Sequence, residues 1–426
     1  MTHVGENIKR IRTAKKMTIT DVANEHVSRG MISLIENGKT QPSIERLQHI
    51  ARQLNVDIAE LVETVPREDM QRILKEAIDL FDEVGNESVV KVAALLKPIL
   101  NKDPAGYEAA RMNELYGRAL YHLYIVDIEQ YNNIEENNWE VFTKKAIGMY
   151  NDLQMEWRVV RCYGFLADIE ANRGNYQAAI DIIEQATSRL TVMDSLETRS
   201  IYIQLQSLKA FALDSLGQRE IAHEQLDEII EFARENIILG QYYHLLNAKA
   251  WRYYDDQKPE KARKYIEECY LFTKILKNES MTLQHEMNQI FIQEFFEGDY
   301  EKALDIAKGL EGRAENIRDY PQETINEFIM MTNDLEARVL TRLGRYDEAL
   351  ILFEENRVEL NERNLGPTDV ATRVLSKSYE ALCYLHMGDQ EKAEELARYT
   401  VDKLHNLPHS SFYHFAREVL TKVVSK

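Results

Sequence analysis

The sequence predicts an all-α protein that begins with a small helical domain and continues as an array of helical hairpins. Glycine and proline are sparse, with 17 and 8 among 426 residues, and the alternation of apolar and polar residues that is typical of strands is scarce. A chain of this length exceeds what one compact core usually holds. Short segments of similar sequence recur at intervals of 40–46 residues, which indicates a repeat array.

The net charge of −19 is unevenly distributed along the chain. Residues 1–64 contain nine Lys and Arg against eight Asp and Glu, whereas residues 65–426 carry a net charge of −20. The acidic part argues against nucleic-acid binding along the whole chain, but screening over about 8 Å lets a local basic surface act on its own. The sequence therefore predicts two domains with different partners, residues 1–64 and residues 65–426.

Several classes of protein are disfavoured by what the sequence lacks. It contains no apolar run near 18 residues and no signal peptide, so we expect a cytoplasmic protein with no membrane partner. Cys162, Cys269 and Cys383 are far apart on helical patterns, and we expect reduced thiols packed in a core. The sequence has no phosphate-binding glycine-rich loop, HExxH motif, paired Cys-x-x-Cys or nucleophile elbow. We therefore expect neither enzymatic activity nor a cofactor or metal.

Residues 1–64 are predicted to form five short helices. Apolar residues recur at helical spacing from Val4 onwards, and the run TITD at residues 18–21 matches a capping box that begins the second helix. The third, fourth and fifth helices are predicted to start at Ser28, Pro42-Ser43 and Asp57. A tight turn joins the second helix to the third, as in a helix-turn-helix domain.

The third predicted helix carries the candidate DNA-reading side chains. Its outward positions hold Arg29, Ser33 and Asn37, and a guanidinium such as that of Arg29 can pair with guanine O6 and N7 together. Phosphate contacts are expected around this helix and on the first one, from Ser28, Lys39, Thr40, Arg12 and Lys15. Glu36 is an anion, so we expect it to orient a neighbouring basic residue rather than to touch DNA.

Residues 65–426 are predicted to form a right-handed superhelical array of about eight hairpins that resemble tetratricopeptide repeats, with linkers longer than in the usual unit of about 34 residues. Six segments share a Gly-x-x-x-x-Ala frame, with Gln257 in place of one glycine: residues 174–179, 217–222, 257–262, 298–303, 344–349 and 388–393. The small residue permits a turn, and the alanine fits where two helices press together. Two weaker hairpins are expected around 68–100 and 107–151. A final amphipathic helix near 410–424 is expected to cap the array or to form part of a dimer interface.

One column of residues on the first helices of the hairpins is small or polar, although these helices are otherwise rich in large apolar residues. It lies ten residues before each turn and consists of Gly164, Ser207, Asn247, Asn288, Asp334 and Ser378. Neighbouring turns of the same helices add Gln204, Tyr243, Gln284 and Glu327. Asparagine side chains can both donate to and accept from a ligand backbone, so we predict peptide binding on this concave face. The alternative is ordinary hydrogen bonding between repeats.

Residues 8–61, with the string ISLIENGKTQPS near their centre, resemble the helix-turn-helix domain of the XRE or Cro/repressor-like family, which has the lambda-repressor fold. One departure is that only four residues separate Ala23 from Ser28, one fewer than the commonest spacing, and the turn lacks its usual glycine near His26. With about eight hairpins of long period after this domain, the whole chain resembles the RNPP family of Gram-positive quorum-sensing receptors, most of all its NprR branch.

The resemblance to RNPP receptors implies a transcriptional regulator whose concave face binds a short, secreted and re-imported signalling peptide. The peptide is then implied to change the geometry of a homodimer or tetramer, and hence its affinity for a two-part operator in double-stranded DNA. An oligomer is expected because a single helix-turn-helix presents only one recognition helix. The NprR branch also implies a peptide-free role, in which the protein binds a response regulator of the sporulation phosphorelay.

Two other functions stay open on the sequence alone. The first is a protein-binding regulator of a phosphorelay, of the Rap type, in which DNA binding is secondary; the intact third helix with Arg29, Ser33 and Lys39 counts against it. The second is a scaffold with a constant protein partner. The pair Asn247 and Asn288 counts against that function, because flat protein docking needs no inward polar column.

Overall fold

The computed structural model describes residues 3–62, 65–82, 86–314, 322–355 and 367–425. All regular secondary structure in these ranges is helical, in agreement with the predicted fold class. The chain forms two compact units, Met1–Met155 and Glu156–Lys426. The domain boundary expected after residue 64 falls inside the first unit and stays a prediction.

The first unit contains ten helices in its described residues. The N-terminal five are α1 His3–Ala14, α2 Ile19–Val22, α3 Arg29–Glu36, α4 Ile44–Leu54 and α5 Ile58–Val62. The next five are α6 Arg67–Asp82, α7 Asn86–Leu100, α8 Tyr107–Val126, α9 Ile128–Asn132 and α10 Trp139–Asp152. The five helices predicted at the N-terminus are all present, each within two residues of its expected start.

Capping residues define the ends of the N-terminal helices. Thr18 and Asp21 form the predicted capping box of α2: the Asp21 N–H donates to Thr18 Oγ1 at 3.3 Å, and the Thr18 N–H donates to Asp21 Oδ2 at 2.6 Å. Ser28 and Ser43 cap α3 and α4 through their hydroxyl oxygens. The apolar faces of the N-terminal helices pack together into one core, which fixes the orientation of α3.

The second unit contains thirteen helices and one π-helical turn in its described residues. They are α11 Glu156–Asn172, α12 Tyr176–Thr187, α13 Leu196–Ser215, α14 Arg219–Glu235, α15 Tyr242–Asp255, α16 Pro259–Leu276, α17 Glu279–Ile292, the π-helical turn Gln293–Glu297, α18 Tyr300–Ala314, α19 Gln322–Arg342, α20 Tyr346–Glu355, α21 Pro367–Met387, α22 Gln390–Lys403 and α23 Ser411–Val424. Consecutive helices from α11 to α22 pack as six hairpins. With α6–α7 and α8–α10 of the first unit, the described residues form the eight hairpins that the sequence predicts.

The Gly-x-x-x-x-Ala frame forms the turn inside each hairpin of the second unit. Its glycines, Gly174, Gly217, Gly298, Gly344 and Gly388, have φ angles between 71° and 82°, in the left-handed region that favours glycine. Gln257 adopts φ 58° in the remaining turn, at a cost of roughly 1–2 kcal/mol. The alanines of the frame, Ala179, Ala222, Ala262, Ala303, Ala349 and Ala393, are all 0% exposed. The turns are therefore fixed by backbone conformation and by close helix contact together.

The last helix, α23, caps the array of the second unit. The sequence predicted either this role or a place in a dimer interface. It packs against α21 and α22. Its apolar side consists of Phe412, Phe415, Val419 and Val423, and all four side chains are buried.

Residues 404–412, called here the C-terminal segment, reach back from the last hairpin to earlier hairpins of the same unit. Three side-chain hydrogen bonds make this connection: from the Tyr176 hydroxyl to Asn406 O at 3.3 Å, from the Arg219 guanidinium to His409 O, and from the Ser411 hydroxyl to Asp255. The segment therefore ties the end of the array to α12, α14 and α15.

None of the described helices combines the length and the apolar character that crossing a bilayer requires. No group of three or more His, Cys, Asp and Glu side chains in the described part of the chain is placed to hold a metal ion. Cys162, Cys269 and Cys383 are buried and form no disulfide, and burial raises the pKa of Cys269 to about 12.

Gly5→Ala is expected to destabilise the N-terminal helices, because a Cβ at this position would lie 1.9 Å from Ile35 O. Overpacking of this kind costs about 1–3 kcal/mol. Gly30→Ala is the matched control, since its Cβ would meet nothing within 4 Å, and replacing a helical glycine by alanine stabilises by roughly 0.5–1 kcal/mol. Hydrogen exchange of residues 3–62 in the full chain should accelerate in the first variant only; equal protection in both variants would contradict the prediction.

Candidate nucleic-acid interface and ligand cavity

The solvent-facing side of α3 carries the predicted DNA-reading residues. Ile32 and Ile35 point into the core with at most 1% exposure, which leaves the outer side of the helix to Arg29, Ser33 and Asn37. Arg29 is exposed at the first position of α3, and Ser33 is half-buried one turn later. Asn37 is exposed and ends the helix, where its amide donates to Ser33 O at 2.7 Å. The three side chains share one surface, and their contact with DNA stays a prediction.

The predicted phosphate-binding residues differ in how the fold uses them. Lys39 is exposed just beyond α3, and Thr40 next to it is half-buried. Ser28 is exposed, and its hydroxyl accepts from a backbone N–H to cap the helix. Lys15 donates to Leu54 O at 2.6 Å and to the adjacent Asn55 O at 3.1 Å. Lys15 therefore stabilises the C-terminal end of α4, where a positive charge is favourable.

Arg12 is part of the internal structure of the domain. Its Nε lies 2.7 Å from Glu36 Oε1 and its Nη2 lies 2.9 Å from Glu36 Oε2, while Nη1 donates to Met17 O at 2.8 Å. The side chains of Arg12 and Glu36 are only 13% and 4% exposed, and the hydrogen bonds from Arg12 to Glu36 raise the pKa of Arg12. The predicted phosphate contact from Arg12 does not fit this geometry. Glu36 has the orienting role that the sequence predicts.

The short turn before α3 is held by side chains instead of a glycine. Asn24 Oδ1 accepts from the backbone N–H groups of His26 and Val27, each at 2.9 Å, and Val27 is buried in the core. The imidazole of His26 stacks on that of His49 in α4, with ring centroids 4.0 Å apart. These contacts hold a turn that is one residue shorter than the commonest spacing and that lacks the usual glycine. His49 gave no sequence signal, because the pairing depends on the tertiary fold.

The second unit contains an open cavity of about 1000 Å³. Its wall is built by α13, α15, α17 and α19, with single contributions from α14 and from the residue before α15, and it is completed by the C-terminal segment. The lining residues include Phe211, Asp214, Ser215, Gln241, His244, Leu245, Trp251, Arg252, Asp255, Met287, Phe291, Phe328, Met331, Leu407, His409, Ser410 and Phe412. The cavity therefore combines apolar, amide and ionisable groups.

Five of the predicted peptide-binding residues meet in this cavity. Gln204 and Ser207 come from α13, Asn247 from α15, and Gln284 and Asn288 from α17. The Nδ2 atom of Asn288 is buried and has no acceptor in hydrogen-bonding geometry among the described residues. Buried polar atoms without a partner are uncommon in native folds. The structure thus brings together the amides that the sequence singles out, and their contact with a ligand stays a prediction.

A row of aromatic side chains borders these amides and was not predicted. We call Phe211, Trp251 and Phe291 the aromatic row; each follows a small or polar residue of the column by three or four positions on its helix. Phe412 joins it from the C-terminal segment, with ring centroids 6.3 Å from both Trp251 and Phe291. The recurrence of aromatic residues one helical turn after the column was visible in the sequence. The participation of Phe412 could not be predicted from the sequence, because it depends on the tertiary fold.

A pair of carboxylates, Asp214 and Asp255, follows the aromatic row on α13 and α15. Arg252 is also on α15, and its side chain extends to α13, where Nη2 donates to Ala210 O at 3.1 Å. Its Nε is 3.8 Å from Asp214 Oδ2, which is longer than a hydrogen bond. Asp255 accepts from the Ser411 hydroxyl, and burial raises the pKa of Asp255. This end of the cavity therefore carries two acidic groups and one basic group.

Tyr243 does not line the cavity, which corrects its predicted place. It is 0% exposed, and its backbone carbonyl accepts from the thiol of Cys269 at 3.7 Å. Burial raises the pKa of the Tyr243 hydroxyl, which lies beside the amide of Asn288. Tyr243 precedes Asn247 by four residues and is thus turned by about 40° around the helix, enough to face the neighbouring helix. His244, three residues before Asn247, contributes to the lining instead.

Asp334, Ser378 and Gly164 also do not line the cavity. Asp334 is not a lining residue, and it accepts a hydrogen bond from Ser376 Oγ at 2.5 Å. Ser378 is 0% exposed, and a Cβ at Gly164 would lie 3.0 Å from Leu205 Cδ2. These positions serve packing between helices. Glu327 belongs to α19, but its side chain lies outside the described part of the structure.

A buried ion-pair network lies close to Asp334. Arg338 donates from Nη2 to Glu294 Oε2 at 2.8 Å, and both side chains are 0% exposed. Glu294 also accepts from the Tyr379 hydroxyl and lies 3.5 Å from Arg342 Nε. Glu294 is the second residue of the π-helical turn, where the wider winding changes the direction of the side chain.

Arg12→Ala is expected to lower the free energy of unfolding of the N-terminal domain by about 2–4 kcal/mol, because it leaves Glu36 buried without its counter-ion. Arg29→Ala is the control: the exposed side chain should change stability by less than about 0.5 kcal/mol while weakening DNA binding. Hydrogen exchange would measure stability, and fluorescence anisotropy with DNA selected from a random library would measure affinity. If Arg12→Ala kept normal stability but bound DNA more weakly, the prediction would be wrong and Arg12 would be a phosphate-contacting residue.

Asp334→Asn is expected to raise stability at pH 7.5 and to lose this advantage near pH 4. Burial raises the pKa of Asp334 from 3.8 to about 6, so the folded state favours the protonated acid and wild-type stability falls as the pH rises through this interval. The difference should be on the order of 3 kcal/mol. Urea unfolding at both pH values measures it, with Asp305→Asn on an exposed position as control. A difference that does not depend on pH would count against this account.

A family model described as helix-turn-helix matches residues 8–61. The matched range contains α2, α3 and α4 and coincides with the run that resembles the XRE family. The chain therefore carries a helix-turn-helix domain at this position. No sequence among the curated proteins matches the chain.

Several solved structures are similar to the chain at low identity. PlcR of Bacillus thuringiensis, in complex with the peptide PapR7 and DNA, is 19% identical, with 67% of this chain and 99% of that chain covered and a TM-score of 0.36. A Rap protein complexed with Competence and Sporulation Factor is 15% identical over 84% of this chain and 98% of its own, with a TM-score of 0.49. ComR from S. thermophilus, in complex with DNA and its signalling peptide ComS, is 15% identical over 66% of this chain and 97% of its own, with a TM-score of 0.31.

Proposed function

We propose that the chain is a transcriptional regulator whose binding to double-stranded DNA is controlled by a short signalling peptide. One observation carries the proposal: the cavity gathers Asn247, Asn288 and the aromatic row in a volume of about 1000 Å³. Ligand pockets commonly enclose about 300–1000 Å³, so this one suits an occupant at the upper end of that range. The mixed lining fits an occupant with a polar backbone and apolar side chains.

The amides favour a peptide as the occupant. A peptide backbone presents both N–H donors and C=O acceptors, and a primary amide can pair with both. Asn247 and Asn288 are half-buried in the wall of the cavity, so part of each side chain is left to an occupant. A peptide bond placed between Asn247 and Asn288 would find a primary amide on either side.

The helix-turn-helix domain supports the DNA half of the proposal. Arg29 is exposed in the first turn of α3, and Lys39 is exposed just after the helix. Our proposal assigns Arg29 to reading guanine and Lys39 to contacting phosphate. One domain presents one recognition helix, so we propose a homodimer or tetramer on a two-part operator. Peptide binding would act by changing that assembly.

The finer parts of the proposal rest on the family resemblance described above. They are a cytoplasmic location, an NprR-like regulator, and a peptide-free role in binding a response regulator of the sporulation phosphorelay. The proposal involves no enzymatic step.

The test is calorimetric titration of the full chain with synthetic peptides, beginning with those encoded just downstream of its gene. We expect one-to-one binding at micromolar concentration or tighter. Asn247→Ala and Asn288→Ala should each weaken binding about tenfold or more, because each leaves a ligand group unpaired. Asn172→Ala, an exposed position on α11 outside the cavity, is the matched control and should bind like the wild type.

Two outcomes would count against the proposal. Binding that is equally strong in Asn247→Ala, Asn288→Ala and the control would place the peptide outside the cavity. A failure of every candidate peptide to bind would favour a protein partner on the concave face, as in the scaffold alternative.

A further inference from the structure

We infer that the cavity selects a peptide with a large apolar side chain and a cationic group within about three residues of each other. This inference rests on the proposed function and specifies its ligand. It comes from the order of residue types along the helices of the wall. The order is the same on two successive hairpins, so it describes the whole site rather than a single contact.

Three kinds of lining residue follow one another along the wall. On α13 they are Ser207, Phe211 and Asp214, and on α15 they are Asn247, Trp251 and Asp255. Each step is three or four residues, so all three kinds lie on the same side of the helix. The cavity therefore has a polar row, the aromatic row and a carboxylate row, in that order.

The aromatic row favours a large apolar side chain. Trp251 and Phe291 have ring centroids 5.7 Å apart, and Phe412 covers them from the C-terminal segment. Phe211 and Trp251 are half-buried, so part of their ring surface is left to an occupant. Removal of this surface from water is favourable for any ligand that brings an aliphatic or aromatic side chain. A uniformly polar peptide would leave it uncovered.

The carboxylate row favours a positive charge. Besides two histidines, the ionisable residues of the lining are Asp214, Asp255 and Arg252. Arg219, just outside the lining, acts on Asp255, so the carboxylate left for a ligand is that of Asp214. Arg252 donates to Ala210 O and to Ala248 O, and it keeps only a loose ion pair with Asp214 at 3.8 Å. Asp214 is 27% exposed and faces the cavity. A ligand ammonium or guanidinium would give it the direct hydrogen bond that Arg252 does not provide.

The distance between the rows sets the spacing in the ligand. The aromatic and carboxylate rows are three positions apart on α13 and four on α15, about 5 Å along the helix axis, and the polar and carboxylate rows are seven and eight positions apart, about 11 Å. An extended peptide spans the longer distance in about three residues, so its apolar and cationic groups fall within that interval. If its backbone pairs with the polar row, its apolar side chain reaches the aromatic row and its cationic group reaches Asp214. The cationic group is a Lys or Arg side chain or the free amino terminus.

The experiment is a selection from a displayed library of random heptapeptides on the immobilised full chain, followed by calorimetry with the selected peptides in synthetic form. We expect enrichment of a large apolar residue with Lys or Arg, or with the amino terminus, within about three positions. Acetylated and free amino termini, compared side by side, distinguish the two sources of positive charge. Replacing the apolar residue of the peptide by serine should weaken binding about tenfold, without any change to the protein.

The matched protein variant is Asp214→Asn, which keeps the size of the side chain. Removing the positive charge of the peptide should weaken binding several-fold on the wild type and less than about twofold on this variant, the difference being the coupling of one charge pair. Selected peptides that are acidic or polar, or an equal charge effect on both proteins, would overturn this inference and leave the peptide receptor standing. A library that yields no binder at all would overturn the proposed function and this inference with it.

Discussion

Close contact between the two helices of each hairpin is the constraint on which the rest of the second unit depends. The alanine of each frame has no exposed surface, so a larger side chain there would push the helices apart. Five residues earlier, the backbone takes a left-handed conformation that allows the chain to reverse within a few residues. Turn and contact together fix the rotation of each first helix about its own axis. Residues at equal distance from the turn therefore face the same way on successive hairpins, and the rows of the cavity follow from this regularity.

Periodic features of the sequence predicted the fold and five of the residues that line the cavity. The recurring frame predicted the hairpins, and counting back from it found Ser207, Asn247 and Asn288 on one surface. The same counting failed for Asp334, because α21 packs over that position and Ser376 occupies its hydrogen-bonding side. It failed for Tyr243 because a step of four residues from Asn247 turns the side chain by about 40° around the helix, towards the neighbouring helix. Sequence periodicity therefore predicts which residues lie on a given side of a helix only to within about one position.

Pairings between residues far apart in the chain could not be predicted from the sequence. Arg12 meets Glu36 across 24 positions, and its basic character alone had suggested a phosphate contact. The network of Arg338 and Glu294 spans 44 positions and needs a π-helical turn to form. Buried pairs of this kind are a weak source of net stability, since desolvation offsets most of the attraction. They are costly to break, however, and so they fix which helix surfaces can meet.

The C-terminal segment has a consequence for how the second unit folds. The hydrogen bond from Tyr176 to Asn406 joins residues 230 positions apart, whereas each hairpin forms from neighbours in the chain. Closing so long a loop is entropically demanding and follows local pairing. We therefore expect an intermediate in which the hairpins are formed but the aromatic row still lacks its cover from Phe412. Such an intermediate exposes the apolar surface of the aromatic row, which makes it prone to aggregate until the C-terminal segment docks.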